Sequence, residues 1–77
     1  MKTSVLFFGQ LIEIIGAKQL ELEGHTDIQS LITMLHQQYP LLKQSKYVIA
    51  INQEVISHNR KLEENSVVAF MPPFSGG

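Results

Sequence analysis

Val5-Leu6-Phe7-Phe8 and Val67-Val68-Ala69-Phe70-Met71 lie near opposite ends of a 77-residue chain, and both are apolar on both alternation sets. Such runs read as strands covered on both faces, which belong in the middle of a sheet rather than at its edge. Between them the chain offers weaker strands. Lys18 to Leu22 alternates, with Leu20 and Leu22 on one side and Glu21 on the other, the pattern of a half-exposed strand. Tyr47 to Ile51 is β-rich, and Asn52-Gln53 makes a two-residue turn into Glu54-Val55-Ile56. Ser57 to Ser66 is a polar loop anchored by Leu62, and Asn65, which tolerates positive φ, suits the turn into the last strand.

Two helical segments complete the pattern. Gln10 to Ile15 carries Leu11, Ile14 and Ile15 at helical spacing, and Gly16 suits the left-handed position that follows a helix. Thr26-Asp27-Ile28-Gln29 reads as a capping box, in which the Thr26 hydroxyl and the Gln29 side chain satisfy each other's backbone N–H groups. After it Ile28, Leu31, Ile32, Leu35 and Tyr39 form one apolar stripe, ended by the restriction that Pro40 places on Tyr39. Two central strands from the chain ends, weaker strands at the edges and one main helix plus a short first helix give an α+β roll. On pattern alone this is a β-grasp (ubiquitin-like) arrangement with a mixed sheet, spanning residues 1–71.

Composition narrows the chemistry. Six Lys and Arg against seven Asp and Glu give a net charge of −1, with no basic field for nucleic acid or an anionic membrane. No apolar run approaches the roughly 20 residues of a bilayer span, and no secretory layout opens the chain, so a cytoplasmic protein is expected. The absence of cysteine removes disulfides, thiolate metal sites and cysteine nucleophiles together. His25, His36 and His58 lack the i, i+4 spacing of a helical metal site, and His36 reads as a solvated helix position. Glu21/Glu23 and Glu63-Glu64 read as the wet side of an edge strand and a solvated loop. No phosphate-binding glycine loop occurs. Neither a resident metal nor a resident cofactor is expected.

The last six residues, Pro72-Pro73-Phe74-Ser75-Gly76-Gly77, break from the rest in composition. Two prolines end the last strand and favour a polyproline II segment. Ser75-Gly76-Gly77 is thin and free of bulky side chains. Six extended residues reach at most ~20 Å. A stiff base and a narrow tip, carrying a terminal carboxylate and no other charge, suit insertion into another protein's active site. Phe74 is costly to leave in water, by about 1.5–3 kcal/mol for full burial, and is expected to meet a partner or the sheet.

The chain resembles the small subunit of molybdopterin synthase, the MoaD family of sulfur carriers. The resemblance is carried by Val5-Leu6-Phe7-Phe8-Gly9-Gln10 with Glu13 and Gly16, by Ala50-Ile51-Asn52-Gln53-Glu54, by Val68-Ala69-Phe70 and by the terminal Pro-Pro-x-Ser-Gly-Gly. It implies that Gly77, with Gly76 before it, is the reactive end. An E1-like enzyme of the MoeB type would adenylate its carboxylate with ATP, and a sulfur donor would convert it to a thiocarboxylate. The large synthase subunit, of the MoaE family, would then receive the tail (Pro72, Pro73, Phe74, Ser75), and sulfur would pass to precursor Z. Two small and two large subunits form the family's heterotetramer. By alignment with the family, Phe8, Val55 and Met71 would make an apolar docking patch on the open face of the sheet. Ile12 stands where members often carry a basic residue, which implies a more apolar contact; Asn65-Ser66 replaces a Gly-Asp turn, and Phe74 replaces a common valine.

Without cysteine the chain cannot hold a persulfide, so any sulfur it carries would sit at Gly77. Lacking an ATP loop, it would depend on a partner for activation. The Gly-Gly ending also leaves open a thiamine-pathway carrier, a ubiquitin-like modifier of lysines and an interaction domain with an inert tail.

Overall fold

In a computed structural model that describes residues 1–73, the chain forms a five-stranded mixed sheet with three helices. The elements are β1 (Lys2–Phe7), α1 (Leu11–Ile15), β2 (Gln19–Glu23), α2 (Ile28–Gln38), α3 (Pro40–Lys43), β3 (Val48–Ile51), β4 (Glu54–Ile56) and β5 (Ser66–Met71). The sheet order is β2-β1-β5-β3-β4, so the two apolar end strands are neighbours inside the sheet and the weaker strands are its edges. β1 and β5 run parallel, with Val5 opposite Val68 and Phe7 opposite Phe70. All other pairings are antiparallel. This is the β-grasp roll.

The helices lie on one face. Val5, Phe7, Val68, Phe70, Ile49 and Ile51 of the sheet join Leu11, Ile15, Ile28, Leu31, Leu35 and Leu42 of the helices in one core. Phe7 and Phe70 pack with ring centroids 5.4 Å apart, and Tyr47 packs on Phe70 at 5.0 Å. Tilted aromatic contacts at these separations are favourable beyond the area they bury. Leu62 is buried in the same core, and its N–H bonds the Thr26 carbonyl, so the long loop before β5 is pinned to the entrance of α2.

Turn chemistry follows the sequence closely. Gly16 ends α1 at φ 85°, and its N–H bonds the carbonyl of Ile12. Asn52 and Gln53 both take positive φ, 47° and 72°, as a two-residue hairpin turn requires. Asn65 sits at φ 64°.

Three expectations need correction, and one helix adds to them. The capping box does not form: Asp27, not Thr26, is the N-cap of α2, with its Oδ1 accepting the N–H of Ser30 at 2.9 Å. The Gln29 N–H goes instead to Asn59 Oδ1 at 2.8 Å, while the backbone of Thr26 and Asp27 bridges the loop at Lys61 and Leu62. A carboxylate is a stronger acceptor than a hydroxyl, and the cap hydrogen bonds from Ser30 and then Asn59 hold the Asp27 carboxyl below the usual carboxylate range. Second, α2 ends at Gln38 as the restriction from Pro40 on Tyr39 requires, but the segment after it, for which no element was expected, is helical. Tyr39 breaks the helix at φ −128°, and Pro40 starts α3, a short helix that buries Leu42. Proline suits that first position because its missing N–H would have no partner there anyway. Third, β1 and β5 are not covered on both faces. Leu6 and Ala69 are half-buried and Val67 is exposed, because no helix packs on their side of the sheet. Fourth, Glu64 is more than solvated loop, since its Oε2 accepts the Lys2 N–H at 2.7 Å.

Thr3 is 1% exposed, and its hydroxyl has no hydrogen-bond partner among the described residues. Its neighbour Ser66 is equally buried but bonds the Glu63 carbonyl at 2.7 Å. An unpaired buried hydroxyl costs about 1–3 kcal/mol. Thr3→Val keeps the β-branched shape and removes the polar atom, so it is expected to stabilise the fold by about 1 kcal/mol, read as a higher urea midpoint at unchanged slope. An unchanged or lower midpoint would show that the hydroxyl is satisfied.

Candidate functional site: the sheet end from which the tail leaves

β5 is the middle strand of the sheet, and its last residue, Met71, pairs with Val48 of β3. Pro72 and Pro73 follow. Proline has no N–H to continue the ladder, so pairing stops there and the chain departs from the centre of one sheet end. The turn between β1 and α1 forms the other wall of this exit. The Phe8 N–H bonds the Phe70 carbonyl at 3.1 Å, which ties the turn to β5. Gly9 has φ 61°, and a Cβ built there would lie 2.7 Å from Pro72 Cγ. Gly9 therefore both takes a backbone conformation costly for other residues and leaves room for the proline ring. Pro72 is half-buried and Pro73 exposed. Phe74, Ser75, Gly76 and Gly77, the remaining residues expected in the site, lie outside the described residues.

The open face of the sheet adjoins this exit. Leu6, Ala69, Ala50 and Val55 lie in one cross-strand row. Met71 and Val48 form the next row toward the tail. Val55 is 65% exposed, Phe8 45%, and Val67 39%; Met71 is half-buried. Thus Phe8, Val55 and Met71 are placed outside the helix-covered core and bordering one apolar surface. Leu6, Val48 and Val67 share it, and sequence reasoning left them out. Strand alternation from Met71 and Phe8 would have found Val67 and Leu6. Contiguous exposed apolar surface of this sort marks interaction sites more often than isolated apolar residues do.

Beside Phe8, a shallow hollow of about 370 Å³ is lined by Leu6, Phe8, Ile12, Lys18 and Gln19. A second depression, of about 440 Å³, lies between α2 and the β3–β4 edge, with Ile28, Ile32, Ile49 and Ile56 in its lining.

Among the described residues the titratable groups do not assemble an active centre. His36 is not solvated as expected. It is half-buried, with Nε2 2.7 Å from the Tyr47 hydroxyl, in an edge-on ring contact. Burial first, and the Lys43 ammonium second, lower its proton affinity. Burial alone raises that of the Tyr47 hydroxyl. Both shifts favour the neutral pair, which ties α2 to the start of β3. His25 Nδ1 meets Ser30 Oγ at 3.2 Å, and His58 is exposed. Among the described residues no group of three His, Cys, Asp or Glu could hold a metal ion, and no helix is long and apolar enough to cross a membrane. What this geometry can do is present a segment: a rigid sheet end, a glycine–proline pivot and an adjoining apolar face.

Residues 5–77 match the ThiS family. The chain is 30% identical, over 82 residues, to the molybdopterin synthase sulfur carrier subunit of Mycobacterium tuberculosis; the match covers 100% of this chain and 99% of that relative. In structure it is similar to the small archaeal modifier protein 1 of Methanosarcina acetivorans, with a TM-score of 0.81 and 26% identity over 99% of this chain and 96% of that one. It is also similar to a chain in the complex of subunits 1 and 2 of the molybdopterin-converting factor from Helicobacter pylori, with a TM-score of 0.76 and 26% identity over 100% of both chains.

Proposed function

From the premise that this chain belongs to the ThiS family, and within it resembles molybdopterin synthase sulfur carriers along its whole length, we propose that it is the sulfur-carrying small subunit of a molybdopterin synthase. The observation that carries this reading is the joining of that full-length likeness to a Pro72-to-Gly77 tail whose base leaves the middle strand at one sheet end. In this reading the chain contributes no active centre of its own. It supplies a handle and a carboxylate.

The chemistry follows from what a carboxylate lacks. Attack on it would have to expel oxide, so it must first be activated. An E1-like enzyme of the MoeB type joins the Gly77 carboxylate to the α-phosphate of ATP and releases pyrophosphate. The resulting mixed anhydride has a good leaving group. A sulfide-level nucleophile attacks the acyl carbon, AMP departs, and a thiocarboxylate remains; a persulfide donor gives an acyl disulfide instead, which a second thiol of the donor cleaves, releasing the thiocarboxylate as the donor's two sulfurs form a disulfide. Splitting one difficult substitution into two covalent steps is the general advantage of such catalysis. The large synthase subunit then takes in the tail, and the sulfur attacks precursor Z while the positioning supplied by docking lowers the entropic barrier. The apolar face bearing Phe8, Val55 and Met71 is the surface we assign to the partner.

One observation favours a second reading. The likeness to a small archaeal modifier protein fits a ubiquitin-like role, in which a lysine amine rather than a sulfur nucleophile takes the same acyl group. A single reconstitution separates the two. With the activating enzyme, ATP, a sulfur source, the large subunit and precursor Z, the carrier reading expects molybdopterin in proportion to the chain supplied. Protein conjugates without molybdopterin would favour the modifier.

A further inference from the structure

The net charge of −1 conceals a segregation along the strand axis, and topology sets it. The Lys18 carbonyl accepts the Phe7 N–H at 2.9 Å, so Lys18 stands level with the end of β1. Lys46 lies two residues before Val48, the partner of Met71. Lys43 closes α3 and acts on His36, which holds Tyr47 beside the same strand start. All three lysines are exposed, and among the described residues none pairs with a carboxylate. Among the described residues Glu13 of α1 is the one acidic side chain at this end.

The other half of the domain is the reverse. Glu23 lies opposite Lys2, Glu64 accepts the Lys2 N–H, and Arg60 pairs with Glu54 at 2.8 Å. A backbone β-bridge sets Asp27 beside Lys61, and Glu21 and Glu63 complete the set. Three lysines against one glutamate mark the tail end; three cations against six carboxylates mark the rest.

We propose that the tail end is an electrostatic docking collar, in which Lys18, Lys43 and Lys46 meet carboxylates around the entrance of the protein that receives the tail. The proposal rests on the carrier reading, which requires that entrance. Charge complementarity argues for a protein partner with an acidic rim. A polyanion such as nucleic acid would meet a chain that is negative overall, with six carboxylates behind the collar. Lys18 also rims the hollow that holds Phe8 and Ile12, so a partner carboxylate there would sit directly beside an apolar contact. That arrangement fixes register as well as sign.

Exposed lysines are screened within about 8 Å at physiological salt. Their effect therefore belongs to encounter more than to the locked complex. The test is stopped-flow association with the large synthase subunit at low and high sodium chloride. Wild-type association is expected to slow by about tenfold as salt rises, a typical loss of steering. The Lys18→Glu/Lys43→Glu/Lys46→Glu variant should associate at least about tenfold more slowly at low salt, with dissociation within about twofold of wild type and the gap closing at high salt. The same three lysines changed to Gln should fall between, and that milder variant carries the test if the reversal disturbs folding. Glu23→Lys with Glu63→Lys, at the far end, should not slow association. Equal rates for wild type and both lysine variants, with wild type binding normally, would overturn the collar alone. No complex with the wild-type chain at all would overturn the collar and the carrier reading together.

Discussion

Deleting Gly77 is expected to abolish sulfur transfer and leave the fold unchanged. Among the described residues, Phe70 is the last fully buried one and Met71 the last of the sheet. The deletion falls six positions beyond the end of β5 in sequence. The deletion does, however, draw the carboxylate back by about 3.3–3.6 Å, the length of one extended residue. A misplacement of only about 1 Å can cost on the order of 100-fold in a positioned reaction, so single-turnover transfer should fall by more than about 100-fold. Adding residues after Gly77 should do the same, because the carboxylate then lies beyond its station and an amide takes its place. Unfolding curves should superimpose on wild type. Transfer within a few-fold of wild type by the deleted chain would count decisively against the assignment of Gly77.

Phe8→Asp is expected to have the next largest effect, on partner binding. Phe8 is 45% exposed and lies outside the core, so the change is tolerable in the free chain. In a complex that covers the open face, the carboxylate would be buried beside Leu6 and Ile12, with Lys18 at the rim of the same hollow as the one cation lining it. Loss of the buried ring forfeits about 1.5–3 kcal/mol, and Lys18 offsets the desolvation of the new carboxylate only in part, so affinity is expected to fall by at least about tenfold. Titration calorimetry against the large subunit reads this directly, with the thermal midpoint as the control for folding. Met71→Asp tests the same face, although half-burial of Met71 means that part of its effect falls on the free chain. Unchanged affinity for Phe8→Asp would return Phe8 to the status of an ordinary exposed residue.

The fold was legible because its strongest signals were long-range in consequence but local in form. Two all-apolar strands at the chain ends demanded neighbouring interior places in one sheet, and a turn at Asn52-Gln53 left little choice for β3 and β4. Leu20 and Leu22, alternating with Glu21, fixed β2 as an edge. What escaped was decided by contacts that no short window contains. Asn59 competes for the Gln29 N–H from 30 residues away, and so displaces the capping box. His36 looks exposed on a helical wheel until Tyr47 arrives from another element. Pro40 reads equally as a stop and as a first helical residue, and the burial of Leu42 chooses between them.

The site was half legible. The Pro72-Pro73 pair and the glycines ahead announced a tail, but nothing local linked Gly9 to Pro72, since their contact depends on β1 and β5 lying side by side. Charge placement was likewise invisible in composition. A net charge of −1 says nothing of which end holds Lys18, Lys43 and Lys46 until strand order assigns each to its height on the sheet.

The central claim is that the acid group of Gly77 is the reactive atom cluster and the rest of the chain presents it. Intact mass spectrometry of the chain, after incubation with a MoeB-type enzyme, ATP and a sulfur source, tests this most directly. The expected result is a mass gain equal to exchange of one oxygen for sulfur, localised by fragmentation to Gly77 and absent when ATP is withheld. An unchanged mass in the presence of an enzyme that activates a known carrier, or sulfur found on any other residue, would contradict it.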